Sequence, residues 1–532
     1  MQPEFQALEG TTQHFSLPVQ LYTAQATRLI DQHVIQSLDI PGVVLMKRAG
    51  RACFQAILSR WPNVDRITIF CGSGNNGGDG YVIAALAKRR GVEVQLLAMS
   101  APDDLKGDAL RACQFAQAEG VSVEQVNEAT TVGADMISGE VIVDALLGTG
   151  ASGKLRDRYA QCVQAINKAR ALGAKVVAVD LPSGVNADTG AVSDVAVEAD
   201  LTVTFIGLKL GMFTGRGPAL CGEVVFDHLD IPPEAYHVAD TTAERLRLPT
   251  LLGQLPPRMN DAHKGDFGHV LVVGGDRGYG GAALLAAQAS ARCGSGLTSL
   301  ATRSEHVGAA ITAHPEVMAL GVQSGQELAD LLSRPTVLAV GPGLGKSAWS
   351  QQLLQAVLKC PLPKVLDADA LNLLAETDLL GDADNADFSN VVMTPHPGEA
   401  ARLLGMSTKD IQADRLSAAR QLRRKFGCTV VLKGAGTVVA TTDEQLFICT
   451  LGNPGMASGG MGDVLTGVIA SLLAQGVEQN TAACMATAIH AAAGDLAAEE
   501  DGQRGLLARD LIPFIRSLLN GVEYHDSGIL VY

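Results

Sequence analysis

The strongest chemical signal in the chain is the run Asn453-Pro454-Gly455-Met456-Ala457-Ser458-Gly459-Gly460-Met461-Gly462-Asp463, followed by the apolar stretch VLTGVIASLLAQG. Gly459, Gly460 and Gly462 leave backbone N–H groups bare where a helix begins. Such a turn is an anion hole that can hold a phosphoryl group while charge develops on it. Asp463 opens the helix, where a carboxylate can take the proton of an attacking hydroxyl. A helix-capping aspartate is the simpler alternative, but a cap does not need so many glycines before it. Lys433-Gly434-Ala435-Gly436-Thr437 ends an expected strand, and suits either nucleotide phosphates or a surface hairpin turn. His396 is framed by Pro395 and Pro397 in an extended loop, as a substrate contact or a structural histidine. Gly341 to Ser347 looks like a P-loop and is not one, because Val340 stands where the first glycine is required. It reads as a glycine turn lining a crevice.

A second constellation lies in the first half. Gly72 to Gly80 satisfies G-x-G-x-x-G after a strand and before a helix. A redox dinucleotide loop is disfavoured, since two asparagines and an aspartate sit inside it. The ribose-binding acid expected about 20 residues on is also missing, because residues 92–98 end in Leu-Leu-Ala. A tight turn without a ligand is the other alternative. Asp144 lies in VDALLGTGASGKL, and Asp180 lies in VDLPSG beside Ser183. Carboxyl ends of parallel strands form the ligand crevice, so Asn76, Asp144 and Ser183 are expected to converge there. An amide, a carboxylate and a hydroxyl are hard oxygen ligands for K⁺ or Mg²⁺. A single carboxylate suits the monovalent ion better than rigidly octahedral Mg²⁺. For each acid alone, a helix cap or turn role is equally open.

These loops need strands to hold them. Residues 66–72, 92–98, 141–147 and 175–182 are apolar runs expected as buried strands, with helices over 79–90, 104–119 and 157–171. The rhythm breaks at 230–258, which carries two Pro-Pro pairs and no long apolar run, so the domain boundary is expected there, with no strand in it. Strands are expected again over 269–275, 336–343, 364–369, 390–395 and 428–434, with an alanine-rich helix over 281–293. Strand–helix alternation implies two α/β domains built on mostly parallel sheets.

The bulk numbers agree. A chain of 532 residues is too long for one core, and 47% hydrophobic with 18% charged residues argues against disorder. A net charge of -15 offers no footprint for nucleic acid or an anionic membrane surface. The 10 cysteines are scattered without metal spacing, which suits reduced thiols in the cytoplasm. Met1 to Gly10 does not read as a signal peptide, and no apolar stretch is long enough to span a membrane.

The runs NNGGDG, VDALLGTGASGKL and VDLPSG resemble the NAD(P)H-hydrate epimerase family over roughly residues 15–230. The resemblance implies that Asn75, Asn76, Gly77, Gly78, Asp79, Gly148, Thr149, Gly150, Ala151, Ser152, Gly153 and Lys154 bind the hydrated cofactor. It implies that Asn76, Asp144 and Ser183 hold K⁺, and that Asp180 contacts the hydrate as the candidate acid/base. The runs HKGDFGHVLVVGG, GPGLG, TPHPGEAARLL, VLKGAGT and NPGMASGGMGDVLTG resemble the ADP-dependent NAD(P)H-hydrate dehydratases of the ribokinase-like superfamily, over roughly residues 250–520. There the resemblance implies nucleotide contacts at Lys433, Gly434, Ala435, Gly436, Thr437, Asn453, Gly459, Gly460, Met461 and Gly462. Hydrate contacts are implied at Ala282, Gly343, His396 and the catalytic Asp463.

The expectation is therefore a Rossmann-like three-layer epimerase domain over 1–234, a linker over 235–255, a ribokinase-like dehydratase domain over 256–520 and a tail over 521–532. Together they would repair NADHX and NADPHX, using ADP with Mg²⁺ and releasing AMP and phosphate, in a cytoplasmic homo-oligomer without nucleic-acid or membrane partners. The residues alone leave open a small-molecule kinase with a stable phosphoester product, or a non-catalytic binding module in the first half.

Overall fold

In the computed structural model, which describes residues 17–127, 130, 132–150, 153–377 and 387–521, the β-branched runs form strands as expected. The described chain divides into two compact units, one ending at Ala243 and the other beginning at Glu244. Among the described residues no helix is long and apolar enough to cross a membrane.

The first unit is built on a seven-stranded sheet in the order Val123–Gln125, Glu93–Ala98, Arg66–Cys71, Val141–Ala145, Lys175–Val179, Leu201–Phe205, Glu223–Asp227. Every neighbouring pair in it is parallel. Strand side chains alternate between faces. Ile67 and Ile69 pack with Cys53, Ile83 and Ala112 in one core, while Phe70 and Ile142 pack with Val163 and Ile166 in another. Two apolar cores on opposite faces make the three-layer arrangement that was expected. The chain runs outward in one direction from Arg66–Cys71 and in the other from Val141–Ala145, so the topological switch point lies between these two strands.

The expected helix over 79–90 starts earlier, at Asn75, and runs to Arg89. The NNGGDG run is therefore the first turns of a helix and not a loop. Its composition has poor helix propensity, which hid the start. Its glycines serve close packing: a Cβ on Gly77 would overlap the Gly72 carbonyl, and one on Gly78 would meet Met46 Cε at 2.5 Å.

The second unit has parallel strands in the order Met318–Gly321, Leu297–Thr302, His269–Val273, Val337–Val340, Lys364–Leu366, Val391–Met393, Thr429–Leu432. Antiparallel strands Thr437–Ala440 and Leu446–Cys449 continue the sheet. Its switch point lies between His269–Val273 and Val337–Val340. Helices Gly280–Arg292, Met461–Ala474 and Gln479–Asp501 are packed into the core.

The segment expected to carry no strand contains one. Ala243–Arg245 pairs in parallel with Leu446–Cys449, through Glu244 opposite Phe447 and Arg245 opposite Ile448. Leu246 and Leu248 that follow are buried in the second unit's core. An Ala-Glu-Arg strand has no apolar alternation, so pattern reading passes over it.

Candidate functional site

The second unit gathers its chemistry at the carboxyl ends of its strands. Asp367 follows Lys364–Leu366, Thr394 follows Val391–Met393 and Lys433 follows Thr429–Leu432. Lys433 Nζ donates to Asp367 Oδ1 at 2.5 Å, and Thr466 Oγ1 donates to Asp367 Oδ2 at 2.9 Å. Asp367 is fully buried. Burial opposes its ionisation, but the Lys433 charge and the hydrogen bonds from Lys433, Thr394 and Thr466 hold it below the ordinary carboxylate range.

Asp463 is in the first turn of Met461–Ala474, whose N-cap is Gly460 at φ 92°. No side chain caps that helix end, which leaves its first N–H groups available to an anion. A Cβ on Gly462 would stand 3.1 Å from Lys433 Nζ and 3.5 Å from Asp367 Oδ2. A side chain there would crowd the lysine tip, so glycine lets the turn rest closely on the ion pair. Burial, then repulsion from Asp367, pushes the Asp463 carboxyl up to about 7, with Lys433 working the other way. A carboxylate poised there is matched to proton transfer near neutrality.

Lys433 to Thr437 does form a hairpin turn, and the lysine still reaches the site. The Thr437 hydroxyl donates to the Gly434 carbonyl at 3.0 Å and closes the turn. Fully buried Arg415 braces it from below, with Nη2 on the carbonyls of Leu432 at 3.0 Å and Lys433 at 3.2 Å. Gly434 and Ala435 are exposed at the tip. Asn453 turns its side chain to structure. Its Nδ2 donates to the Gly494 carbonyl at 2.8 Å and to Asp495 Oδ1 at 2.9 Å, while Oδ1 accepts from Gly455 N at 2.9 Å.

His396 caps the helix Pro397–Leu404, with Nδ1 accepting from Gly398 N at 2.9 Å. Its backbone N–H donates to buried Glu399 at 2.8 Å. Burial, then the Lys433 and Arg402 charges, lowers the His396 pKa and favours the neutral imidazole, whose Nε2 lies 3.3 Å from Glu399 Oε1. Burial also pushes Glu399 up to about 7, against the pull of Lys433.

Gly343 and Ala282 meet at the switch point: a Cβ on Gly343 would clash with the Tyr279 carbonyl and stand 3.1 Å from Ala282 Cβ. One turn along the same helix, Leu285 Cδ1 would be 2.8 Å from a Cβ on Gly460, which ties this wall to the glycine turn. The Gly341–Ser347 loop holds no phosphate cradle. Gly345 N already donates to Asp369 Oδ2 at 2.8 Å, and Ser347 caps the next helix.

In the first unit, Asp144 and Ser183 are brought into direct contact at the switch point. Ser183 Oγ donates to Asp144 Oδ1 at 2.7 Å and Ser183 N donates to Oδ2 at 2.8 Å. Both residues are buried. Burial pushes the Asp144 carboxyl up to about 6, although three hydrogen bonds from Ser183 and Leu146 oppose it. Asn76 stands beside Gly148, since a Cβ on that glycine would be 3.5 Å from the Asn76 amide. One buried terminal atom of the amide has no partner; which end is oxygen is an assignment from the network. A buried carboxylate answered only by neutral donors fits a weakly charged cation.

Asp180 follows Lys175–Val179 with φ 67°, in the left-handed region. Its carboxylate is ion-paired with Lys209 and accepts from Thr204 Oγ1 at 3.2 Å. Lys209 is itself buried and donates to Thr204 Oγ1 at 2.9 Å and to the Phe205 carbonyl at 3.0 Å. Asp79, half-buried, has its carboxyl pushed well up by burial and then by Asp180 and Asp31. Lys154 sits 3.8 Å from Asp194 on the surface, while Ala151 and Ser152 lie outside the described residues. Sequence reading missed Asp367, Glu399, Lys209 and Thr204. Asp367 carries a faint signal, as a lone acid at the end of KVLDAD.

A family model described as NAD(P)H-hydrate dehydratase matches residues 270–516, and one described as YjeF-related protein N-terminus matches residues 42–211. A crystal structure of the ADP/ATP-dependent NAD(P)H-hydrate dehydratase from Bacillus subtilis, 29% identical, covers 52% of this chain and 97% of its own with a TM-score of 0.47. The bifunctional NAD(P)H-hydrate repair enzyme Nnr of Escherichia coli is 40% identical over 507 residues, 95% of each chain. That of Coxiella burnetii is 45% identical over 500 residues, 94% of this chain and 99% of its own. With identity at this level running through both units, the chain belongs to the bifunctional NAD(P)H-hydrate repair enzymes.

Proposed function

We propose that the second unit dehydrates the S epimer of NADHX and NADPHX at the expense of ADP, and that the first unit interconverts the R and S epimers. The observation that carries the reading is Asp463, held near pKa 7 at the mouth of an uncapped glycine turn, beside the Asp367–Lys433 ion pair. Asp463 takes the proton from the C6 hydroxyl as its oxygen attacks the β-phosphorus of ADP. AMP leaves with the bridging electron pair. The C6 phosphate then departs with its C–O electron pair, a proton leaves C5, and the C5–C6 double bond of the dihydronicotinamide returns. The N–H groups of Gly459 to Gly462 receive the charge on the transferring phosphoryl. Ala282, Gly343 and His396 line the place for the hydrate, and Lys433 to Thr437 with the 453–462 segment that for the nucleotide. Mg²⁺ would accompany the nucleotide and offset the charge of its phosphates.

In the first unit Asn75 to Asp79 and Gly148 to Lys154 frame the hydrate, with Asp180 as acid/base. Asn76, Asp144 and Ser183 would hold K⁺, which supplies a fixed positive charge to the crevice when bound. We place the enzyme in the cytoplasm as a homo-oligomer, with the two activities divided between residues 1–234 and 256–520.

The test is to incubate the protein with mixed hydrates of NADH and ADP. Return of the reduced-nicotinamide absorbance, with equal amounts of AMP and free phosphate, is expected. Phosphate retained on a stable product would replace this reading with that of a kinase.

A further inference from the structure

Away from the glycine turn, the second unit contains a cavity of about 840 Å³ whose wall includes Gln288, Arg292, Arg509, Asp510, Arg516 and Asn520. The three arginines come from different elements: Arg292 ends the helix Gly280–Arg292, Arg509 lies in the turn Ala508–Asp510, and Arg516 is on the helix Leu511–Leu519. Among the described residues none of the three guanidiniums makes a hydrogen bond or an ion pair. One acid shares the wall: Asp510, whose Oδ2 accepts from Leu507 N at 2.9 Å and which forms no ion pair with the three. Burial, then the Arg509 and Arg292 charges, lowers the His314 pKa, with Glu316 working the other way. Cations from separate elements share one wall.

Three exposed guanidiniums against one carboxylate leave this wall cationic, in a chain of net charge -15. A guanidinium fork matches a phosphate oxyanion in two parallel hydrogen bonds. A space of this size suits a small-molecule ligand. It also adjoins the catalytic turn: Ala508, the neighbour of Arg509, would be 3.1 Å from a Cβ on Gly460. Arg292 lies about 15 Å from Ala282 along the same helix, at 1.5 Å per residue.

We propose that this cavity is a second anion site, separate from the glycine turn, and that it takes a phosphate-bearing ligand. Two sources offer that chemistry. One is the far end of the hydrate itself, whose 2′-phosphate distinguishes NADPHX from NADHX; this source rests on the repair reading above. The other is a free phosphorylated compound acting on the enzyme.

Inorganic pyrophosphate is the probe, titrated calorimetrically into the full-length protein at about 0.15 M salt, where long-range surface attraction is screened. Binding to the native protein is expected, weakened tenfold or more in Arg292→Gln/Arg516→Gln, with ADP affinity and the thermal midpoint unchanged. Charge reversal in Arg509→Glu should weaken it at least as much. Equal pyrophosphate affinity in the native protein and the double variant overturns the site. This measurement needs no turnover, so it stands or falls apart from the repair reading. A rise in KM for NADPHX alone in the double variant assigns the site to the 2′-phosphate. Unchanged KM for both hydrates, with loss of any response of rate to pyrophosphate, assigns it to a free compound.

Discussion

Lys433 Nζ and Asp367 Oδ1 stand 2.5 Å apart although 66 positions separate them in the chain, and this pair lies directly beneath the Gly462–Asp463 backbone. It acts on Asp463 with both signs: Asp367 raises the neighbouring carboxyl and Lys433 lowers it. The balance leaves Asp463 protonated on one side of neutrality and ionised on the other.

Asp463→Asn removes the proposed base and keeps the shape. Turnover in the dehydratase should fall by about 10²–10⁴-fold, the usual contribution of one positioned base, with ADP affinity retained. Steady-state rates and nucleotide titration check this; near-native turnover would remove Asp463 from the mechanism.

In the proposed mechanism the ionised form of Asp463 is the active one, so dehydration should rise with pH through about 7. Asp367→Asn removes the repulsion and should move that rise to lower pH. Lys433→Met removes the attraction and should move it to higher pH. Shifts in the same direction for both variants would contradict the geometry.

Stability should vary oppositely. The Asp463 and Glu399 carboxyls are raised to about 7 in the folded protein, against about 4 when unfolded. Between those values the folded state binds more protons, so their contribution falls as pH rises from about 4 to 7. Asp367, held low, contributes stability above about 4 and loses it as pH falls through its folded value. Asp463→Asn should therefore melt higher than the native protein at pH 8 in the absence of ligand, with the gain vanishing near pH 4. Calorimetric melting across that range is the measurement.

With dehydration disabled by Asp463→Asn, epimer interconversion should require K⁺. Asp144→Asn should raise the K⁺ needed for half-maximal rate at least by the about 10–100-fold typical of losing even an outer metal partner. Because Asp144 takes up a proton below about 6, K⁺ dependence should steepen in acid. Chromatographic separation of the two epimers follows the reaction, and full activity in potassium-free buffer would exclude the cation site.

Lys209→Met should stop epimerisation while leaving dehydration of the S epimer intact. It strands the Asp180 carboxylate, and breaking a buried pair in this way costs about 3–5 kcal/mol. Adding Asp180→Asn should recover most of the stability, since Asn also tolerates the left-handed backbone at this position, but not the activity. Denaturant melts of the single and double variants give the coupling.

The strands were legible because both faces of these parallel sheets are covered, so Val141–Ala145 and Thr429–Leu432 are buried at every residue and read as apolar runs. The place of Asp463 in the first turn of a helix was legible because the glycines before it stand in one short stretch. Asp367 was not, because its meaning depends on Lys433 and Thr466, 66 and 99 positions away, and no local pattern encodes that. Lys209 was hidden for the same reason. The helix start at Asn75 was missed because its glycines answer to Gly72 and Met46, neighbours supplied by the tertiary fold.

The strand Ala243–Arg245 bears on how the two activities came to share one polypeptide. A gene cut placed anywhere in the proline-rich stretch looks harmless, yet one made just after Arg245 would strip Leu446–Cys449 of its parallel neighbour. The second half would then display a bare row of backbone donors and acceptors, the kind of border at which chains stick to one another. An engineer separating the halves should let the downstream piece begin ahead of Ala243, so that Leu446–Cys449 keeps its neighbour.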